Sequence, residues 1–235
     1  MLYDVTYSDL GTMPYGECRQ LQQRLFDELL RAKAEGREAD GHLLFVEHPP
    51  VYTLGKNGKE SNLLVTEEYL NGLGAEFYRI DRGGDITFHG PGQLVVYPIL
   101  DLERAITAGK VLSLKEYIAA LEQAVINTVS DYGITAGRIE GASGVWVDAE
   151  SPRPRKICAI GVRASRYVTM HGLALNVTTD LNWFRHINPC GFTDRGVTSI
   201  AQETEGRIRI DMEHLKSRLL TELLGEINLS IKRRK

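Results

Sequence analysis

Three short segments of this chain hold the residue types that could do chemistry. Residues 82–93 read RGGDITFHGPGQ and pack four glycines, a proline, Arg82, Asp85 and His89 into twelve positions. Paired glycines let backbone approach a ligand and turn N–H groups toward it, while Arg82 and His89 are polar groups that a pocket can use. A bulged, glycine-rich turn accounts for the same composition equally well. The segment is not a phosphate loop, because no Gly-Lys-Ser/Thr closes it, and it lacks the spacing of a dinucleotide fingerprint.

The second segment, KICAIG at 156–161, opens an apolar strand with Lys156. Simple alternation predicts that Lys156, Cys158 and Ile160 share a face. Taken alone, Lys156 reads as a solvated strand end and Cys158, between Ile157 and Ala159, as a buried thiol. The third segment, INPCGF at 187–192, sets Cys190 between Pro189 and Gly191. Proline restrains its own φ and holds Asn188 extended, and Gly191 removes a side chain beside the sulfur. Of the three cysteines, Cys190 has the setting of a nucleophile, although a turn cysteine without a role fits the residues too. A thiol near pKa 8.5 is mostly protonated at neutral pH, so it needs a partner. Lowering it by about 2 units takes about 2.7 kcal/mol. One ammonium at ~4 Å in a partly dry site supplies roughly 4 kcal/mol, so a single lysine suffices.

These segments, in this order and with HGLALNV at 171–177 between the second and third, resemble the octanoyltransferase family, also called lipoyl(octanoyl) transferases or lipoate-protein ligases B. The resemblance runs from about Val46 to Ile200. It implies the nucleophile at Cys190 and an activating lysine at Lys156. It also implies substrate-contacting residues at Arg82, Gly83, Gly84, Asp85, Ile86, Thr87, Phe88 and His89, at Ala159, Ile160 and Gly161, and at Gly172, Leu173 and Ala174. Two departures stand out: Asp85 lies where glutamine is common, and residues 148–155 lengthen the hairpin before Lys156. Cys158 has no family role.

The activity so implied is transfer of an octanoyl or lipoyl group from acyl carrier protein to a lysine of lipoyl domains. The acceptors would be those of 2-oxoacid dehydrogenases and the glycine cleavage H protein. A cysteine thioester would be the intermediate, with no cofactor and no metal. Oxyanion donors are expected around Cys190 or a turn at Gly172, and His48, His89 and His171 at the mouth of an apolar slot. His42, His186 and His214 read as structural. The alternatives are an ATP-dependent lipoate or biotin protein ligase, and a carrier-protein docking module without chemistry.

The elements that must position these residues follow from periodicity. Strands are expected at 2–7, 42–47, 51–54, 76–81, 85–88, 93–100, 145–147, 156–163 and 168–177. Helices are expected at 14–34, with Leu21, Leu25 and Leu29 as its buried stripe and Cys18 beside them, from a Ser113–Glu116 capping box to Gly133, and at 211–224 with a stop at Gly225. Strands in runs with helices set apart indicate an α+β fold of mixed and antiparallel sheets flanked by helices. The resemblance narrows this to the biotin and lipoate ligase catalytic domain, as one domain over 1–235.

With 235 residues, 28 basic and 31 acidic side chains and a net charge of -3, the chain lacks the basic excess of a general nucleic-acid or anionic-membrane binder. Three cysteines without metal-type spacing argue against a disulfide framework. No leader and no apolar run of ~20 residues is evident. A monomeric, cytoplasmic protein with neither nucleic-acid nor membrane partners is expected.

Overall fold

The computed structural model describes residues 2–107, 109–188 and 196–232. In chain order its elements are β1 (Tyr3–Thr12), α1 (Tyr15–Ala34), β2 (Gly41–Glu47), β3 (Val51–Leu54), α2 (Glu67–Gly72), β4 (Glu76–Arg79), β5 (Ile86–His89) and β6 (Gln93–Ile99). They continue with β7 (Ile106–Thr107), β8 (Lys110–Val111), α3 (Leu114–Ser130), β9 (Ala136–Ile139), β10 (Ala142–Val147), β11 (Arg155–Ser165) and β12 (Val168–Asn176). β13 (Gly196–Val197), α4 (Ile200–Glu203), α5 (Met212–Glu226) and β14 (Leu229–Ile231) complete the chain.

The main sheet runs β14-β1-β2-β6-β12-β11-β10-β9, with β13 beside β11. Along the path from β2 to β9 the pairings are antiparallel, whereas β1 pairs in parallel with both β14 and β2, and β13 in parallel with β11. A small sheet, β4-β3-β5, stands apart. Both faces of the main sheet are covered. Leu44, Val46, Val95, Ile99, Val168 and Met170 pack under α1 through Cys18, Phe26 and Leu29. The alternate residues Leu43, Phe45, Leu94, Val96, Leu173 and Leu175 pack under α3 and α5 through Leu121, Val125, Leu215 and Leu219. This two-sided burial explains why β2, β6 and β12 read as nearly unbroken apolar runs rather than alternating ones.

The expected strands and helices are present with shifted ends, and the mixed-sheet α+β class holds. At Ser113 the capping box forms: its hydroxyl accepts from Glu116 N–H while the Glu116 carboxylate accepts from Ser113 N–H. The buried stripe of α1 is Tyr15, Cys18, Gln22, Phe26, Leu29 and Ala32, so Leu21 and Leu25 flank it and only Leu29 of the expected leucines lies at its centre. α5 passes through Gly225, because the left-handed residue that turns the chain out is Asn228, at φ 57°. Periodicity did not reveal α2, β9 and β14, which are too short to show a repeat. Among the described residues no helix is long and apolar enough to cross a membrane.

Candidate active site

The floor of the candidate site is made by β11 and β12. Their register sets Ala159 opposite Ala174 and Gly161 opposite Gly172. Lys156 does not share a face with Cys158 and Ile160 as strict alternation predicted. Against β10, Val145 pairs with Cys158 but the next residue, Trp146, pairs with Lys156, so Ile157 is an extra residue in a bulge. The bulge turns Lys156 to the side of Ala159 and Gly161, while Ile157, Cys158 and Ile160 join the core under α3. Burial pushes both the Cys158 and the Cys18 thiols up to about 12. Both are therefore protonated and inert at neutral pH.

Above this floor lies a cavity of about 450 Å³. Its lining includes Lys156, Ala159, Ile160, Gly161, Gly172, Leu173 and Ala174, together with Arg82, Gly83, Gly84, Asp85, Ile86, Thr87 and His89. One residue named from the sequence lies elsewhere. Phe88 points away, stacked on Trp183 with ring centroids 5.2 Å apart and packed against Tyr52. Cys190 lies outside the described residues. The expected turn at Gly172 is also absent, since Gly172 sits in mid-strand.

The glycines make the close approach possible. Gly83 N–H donates to Val162 O at 2.9 Å, laying the 82–84 loop on β11. A Cβ on Gly161 would sit 2.8 Å from Gly83 O and 3.1 Å from Arg82 Cδ, so any side chain there would lift the loop. Buried Arg82 is committed to this architecture: Nη2 donates to Thr53 O at 2.7 Å and to its Oγ1 at 2.9 Å, and Nη1 to Gly83 O at 3.0 Å. Asp85 accepts from Ile86 N–H at 2.7 Å and from Asn62 Nδ2 at 2.5 Å, and Asn62 O in turn accepts Asn188 N–H at 2.7 Å. Asp85, which the resemblance gave as a substrate contact, thus also anchors position 188.

Lys156 lies with Nζ 4.5 Å from the Trp146 ring centroid, a cation–π geometry. Behind it, Gly144 has φ 118°, and a Cβ there would come 2.5 Å from Cys158 O and 3.4 Å from Lys156 Cε. Gly144 N–H donates to Glu122 Oε1 at 3.0 Å, and Arg138 Nε donates to Glu122 Oε2 at 3.0 Å. Sequence reasoning missed Glu122 and Gly144. The available signal was a glutamate on the apolar stripe of α3, between Ile118 and Val125.

A second polar group lines the wall. Gln93 Nε2 donates to Phe88 O and to Asn176 Oδ1, which fixes its amide, so its Oε1 accepts from His89 Nδ1 at 2.8 Å. Asn176 Nδ2 continues to Thr198 O, and Thr198 N–H reaches Lys156 O. His48 Nδ1 donates to Met13 O, which makes Nε2 the acceptor for the Tyr97 hydroxyl at 2.8 Å. Burial holds His48 down at about 4 and His89 at about 3, so both imidazoles are neutral. His171, at φ 61° within a strand, faces Asp81, with Nε2 3.2 Å from its carboxylate. Of the three histidines expected at the pocket, His89 and His171 line the cavity and His48 stands behind Tyr97. His186 meets the Tyr52 hydroxyl at 2.9 Å, away from the cavity.

Residues 14–224 match the model of the lipoyl protein ligase A/B catalytic domain family. The chain is 55% identical over 220 residues to the octanoyltransferase of Bacteroides fragilis YCH46, covering 94% of this chain and 96% of that one. Among solved structures it resembles the bipartite lipoate protein ligase of an archaeal lipoylation system, from Thermoplasma acidophilum, with TM-score 0.68 at 14% identity over 100% of this chain and 87% of that one. It also resembles a lipoate-protein ligase A bound with ATP, with TM-score 0.68 at 15% identity over 100% of this chain and 89% of that one. At these identities the structural likeness defines the fold, which is that of the lipoate protein ligases.

Proposed function

The chain belongs to the lipoyl protein ligase A/B catalytic domain family and, within it, to the octanoyltransferases, and from that premise we propose that it moves an octanoyl group from acyl carrier protein to a lysine of a lipoyl domain through a thioester on Cys190. The observation that carries this reading is the placement of Lys156 at one end of a slot floored by Ala159, Ala174, Gly161 and Gly172. Val197, seven positions after Cys190, pairs with Lys156 in the parallel β11·β13 bridge.

In this mechanism Lys156 takes the Cys190 proton and the thiolate attacks the carrier thioester carbonyl. The C–S bond to the carrier breaks, the carrier thiol leaves with that proton, and the acyl-enzyme thioester remains. An acceptor amine then attacks the new thioester, its proton passes to Lys156, and Cys190 leaves as the amide forms. The donor thioester already carries the activation, so ATP has no part. Small side chains on the floor leave room for an eight-carbon chain, and the neutral His48 and His89 bring no charge to it.

Intact mass after mixing the protein with octanoyl carrier protein tests the reading. An added octanoyl group is expected, labile to hydroxylamine, mapping to Cys190 and absent from Cys190→Ala. Lys156→Ala is expected to slow its formation at least about a hundredfold while keeping the melting temperature near that of the parent. An adduct on Cys158, or robust pyrophosphate release from ATP and octanoate that survives Cys190→Ser, would overturn it; the latter would point to an ATP-dependent ligase.

A further inference from the structure

The far end of the slot is chemically unlike its middle. The middle is walled by Ala159, Ala174 and Val95, all apolar. Two residues further along β11, roughly 7 Å at about 3.3 Å per residue, the floor becomes the Gly161–Gly172 pair, with Arg82, Tyr97 and Tyr15 around it. Tyr15 is 1% exposed, and its hydroxyl is one of two buried side-chain polar atoms without a hydrogen-bond partner among the described residues. The other, on Tyr117, belongs to the core under α3. The neighbours of Tyr15 do not relieve it: its ring stacks parallel to His89 at 6.2 Å, His89 Nδ1 is spent on Gln93, and the Tyr97 hydroxyl is spent on His48.

Building on the acyl-transfer reading, we propose that this polar closed end limits acyl chain length, with the Tyr15 hydroxyl as the specificity-determining group. A chain that stops short of Tyr15 leaves space in which water can satisfy the hydroxyl. A longer chain drives methylenes against it, strips that water and leaves a buried donor with no acceptor. Octanoyl stops short, and each further two-carbon unit meets the penalty. The device needs no steric wall, since the glycine pair leaves the space open. The discrimination is against burying an unpaired hydroxyl rather than against volume.

The test compares octanoyl-, decanoyl- and dodecanoyl-pantetheine thioesters as donors, reading acylation by intact mass under single-turnover conditions in the parent and in Tyr15→Phe. The parent is expected to favour octanoyl over decanoyl and decanoyl over dodecanoyl. In Tyr15→Phe the decanoyl-to-octanoyl ratio is expected to rise roughly tenfold, and the melting temperature to stay near that of the parent, because the hydroxyl makes no hydrogen bond to the described residues. A parent without preference for the shorter chain, or a ratio unchanged within about twofold in Tyr15→Phe, overturns the proposal. Calorimetric binding of the same three thioesters to Lys156→Ala reads the ratio without chemistry. Absence of transfer in the parent, with the binding preference intact, would count against the acyl-transfer mechanism and not against the chain-length limit.

Discussion

Glu122 Oε1 accepts the backbone N–H of Gly144 at 3.0 Å, joining α3 to the hairpin that backs Lys156. Gly144 is left-handed at φ 118°, and its missing Cβ is where Lys156 Cε and Cys158 O approach. Glu122 therefore positions the lysine through the backbone rather than by touching it. Glu122→Ala is expected to leave Gly144 N–H buried and unpaired, costing about 2 kcal/mol, and to slow acyl transfer about tenfold. Glu122→Gln keeps an acceptor oxygen and should restore most of both. Denaturant melts beside single-turnover rates check this, and a Gln variant as slow as Ala would remove Glu122 from a positioning role.

Gly161→Ala tests whether the 82–84 loop must lie on β11. The added methyl meets Gly83 O at 2.8 Å and Arg82 Cδ at 3.1 Å. The loop must shift, at a cost of about 1–3 kcal/mol, and weaker binding of the octanoyl donor should accompany the lower melting temperature. An alanine variant with donor affinity unchanged would separate the glycine from the site.

Asp85 holds Asn62, and Asn62 O holds Asn188 N–H. Asp85→Ala breaks the first link of that chain, and its effect should appear at the cysteine two positions beyond Asn188. Alkylation of Cys190 by iodoacetamide and transfer from carrier are expected to slow together, roughly five- to tenfold, with Asp85→Asn retaining most of each. Unequal effects on the two rates would show that Asp85 acts elsewhere.

Stability should fall on mild acidification. His48 and His89 are held near 4 and 3 when folded, against 6.5 as the ordinary histidine value. Between those limits the unfolded chain binds protons that the folded chain refuses, so unfolding free energy rises with pH and is lost as pH drops below about 6.5. The two imidazoles together account for a loss of about 2–3 kcal/mol between pH 7 and 5.5. Urea melts at the two pH values measure it, and His48→Gln should flatten the slope by about half. A slope unaffected by that substitution would assign the acid sensitivity to other groups.

Much of the site was legible locally because its signals are local. The Ser113–Glu116 capping box, the apolar runs of β2, β6 and β12, the glycine-rich 82–93 segment and the lysine at 156 each depend on residues a few positions apart. The face of Lys156 was not legible. A bulge of one residue at Ile157 reverses every side chain before it, and that bulge exists only in the pairing of β11 with β10. Phe88 differs: alternation already sets it on the face opposite Thr87 and His89, but its stacking partner Trp183, 95 positions away, is fixed only by the fold.

By itself the sequence determined which residues have chemistry to offer, the main helices and strands that carry them and the absence of an overall basic excess. Tertiary structure decided which of those residues meet. It turned Arg82 and Asp85 into anchors, joined Glu122 to the hairpin behind Lys156, and left the Tyr15 hydroxyl at the end of the slot without a hydrogen-bond partner among the described residues. Each of these depends on a contact between segments far apart in the chain, and residue type and spacing do not encode such contacts until the sheet has set its register.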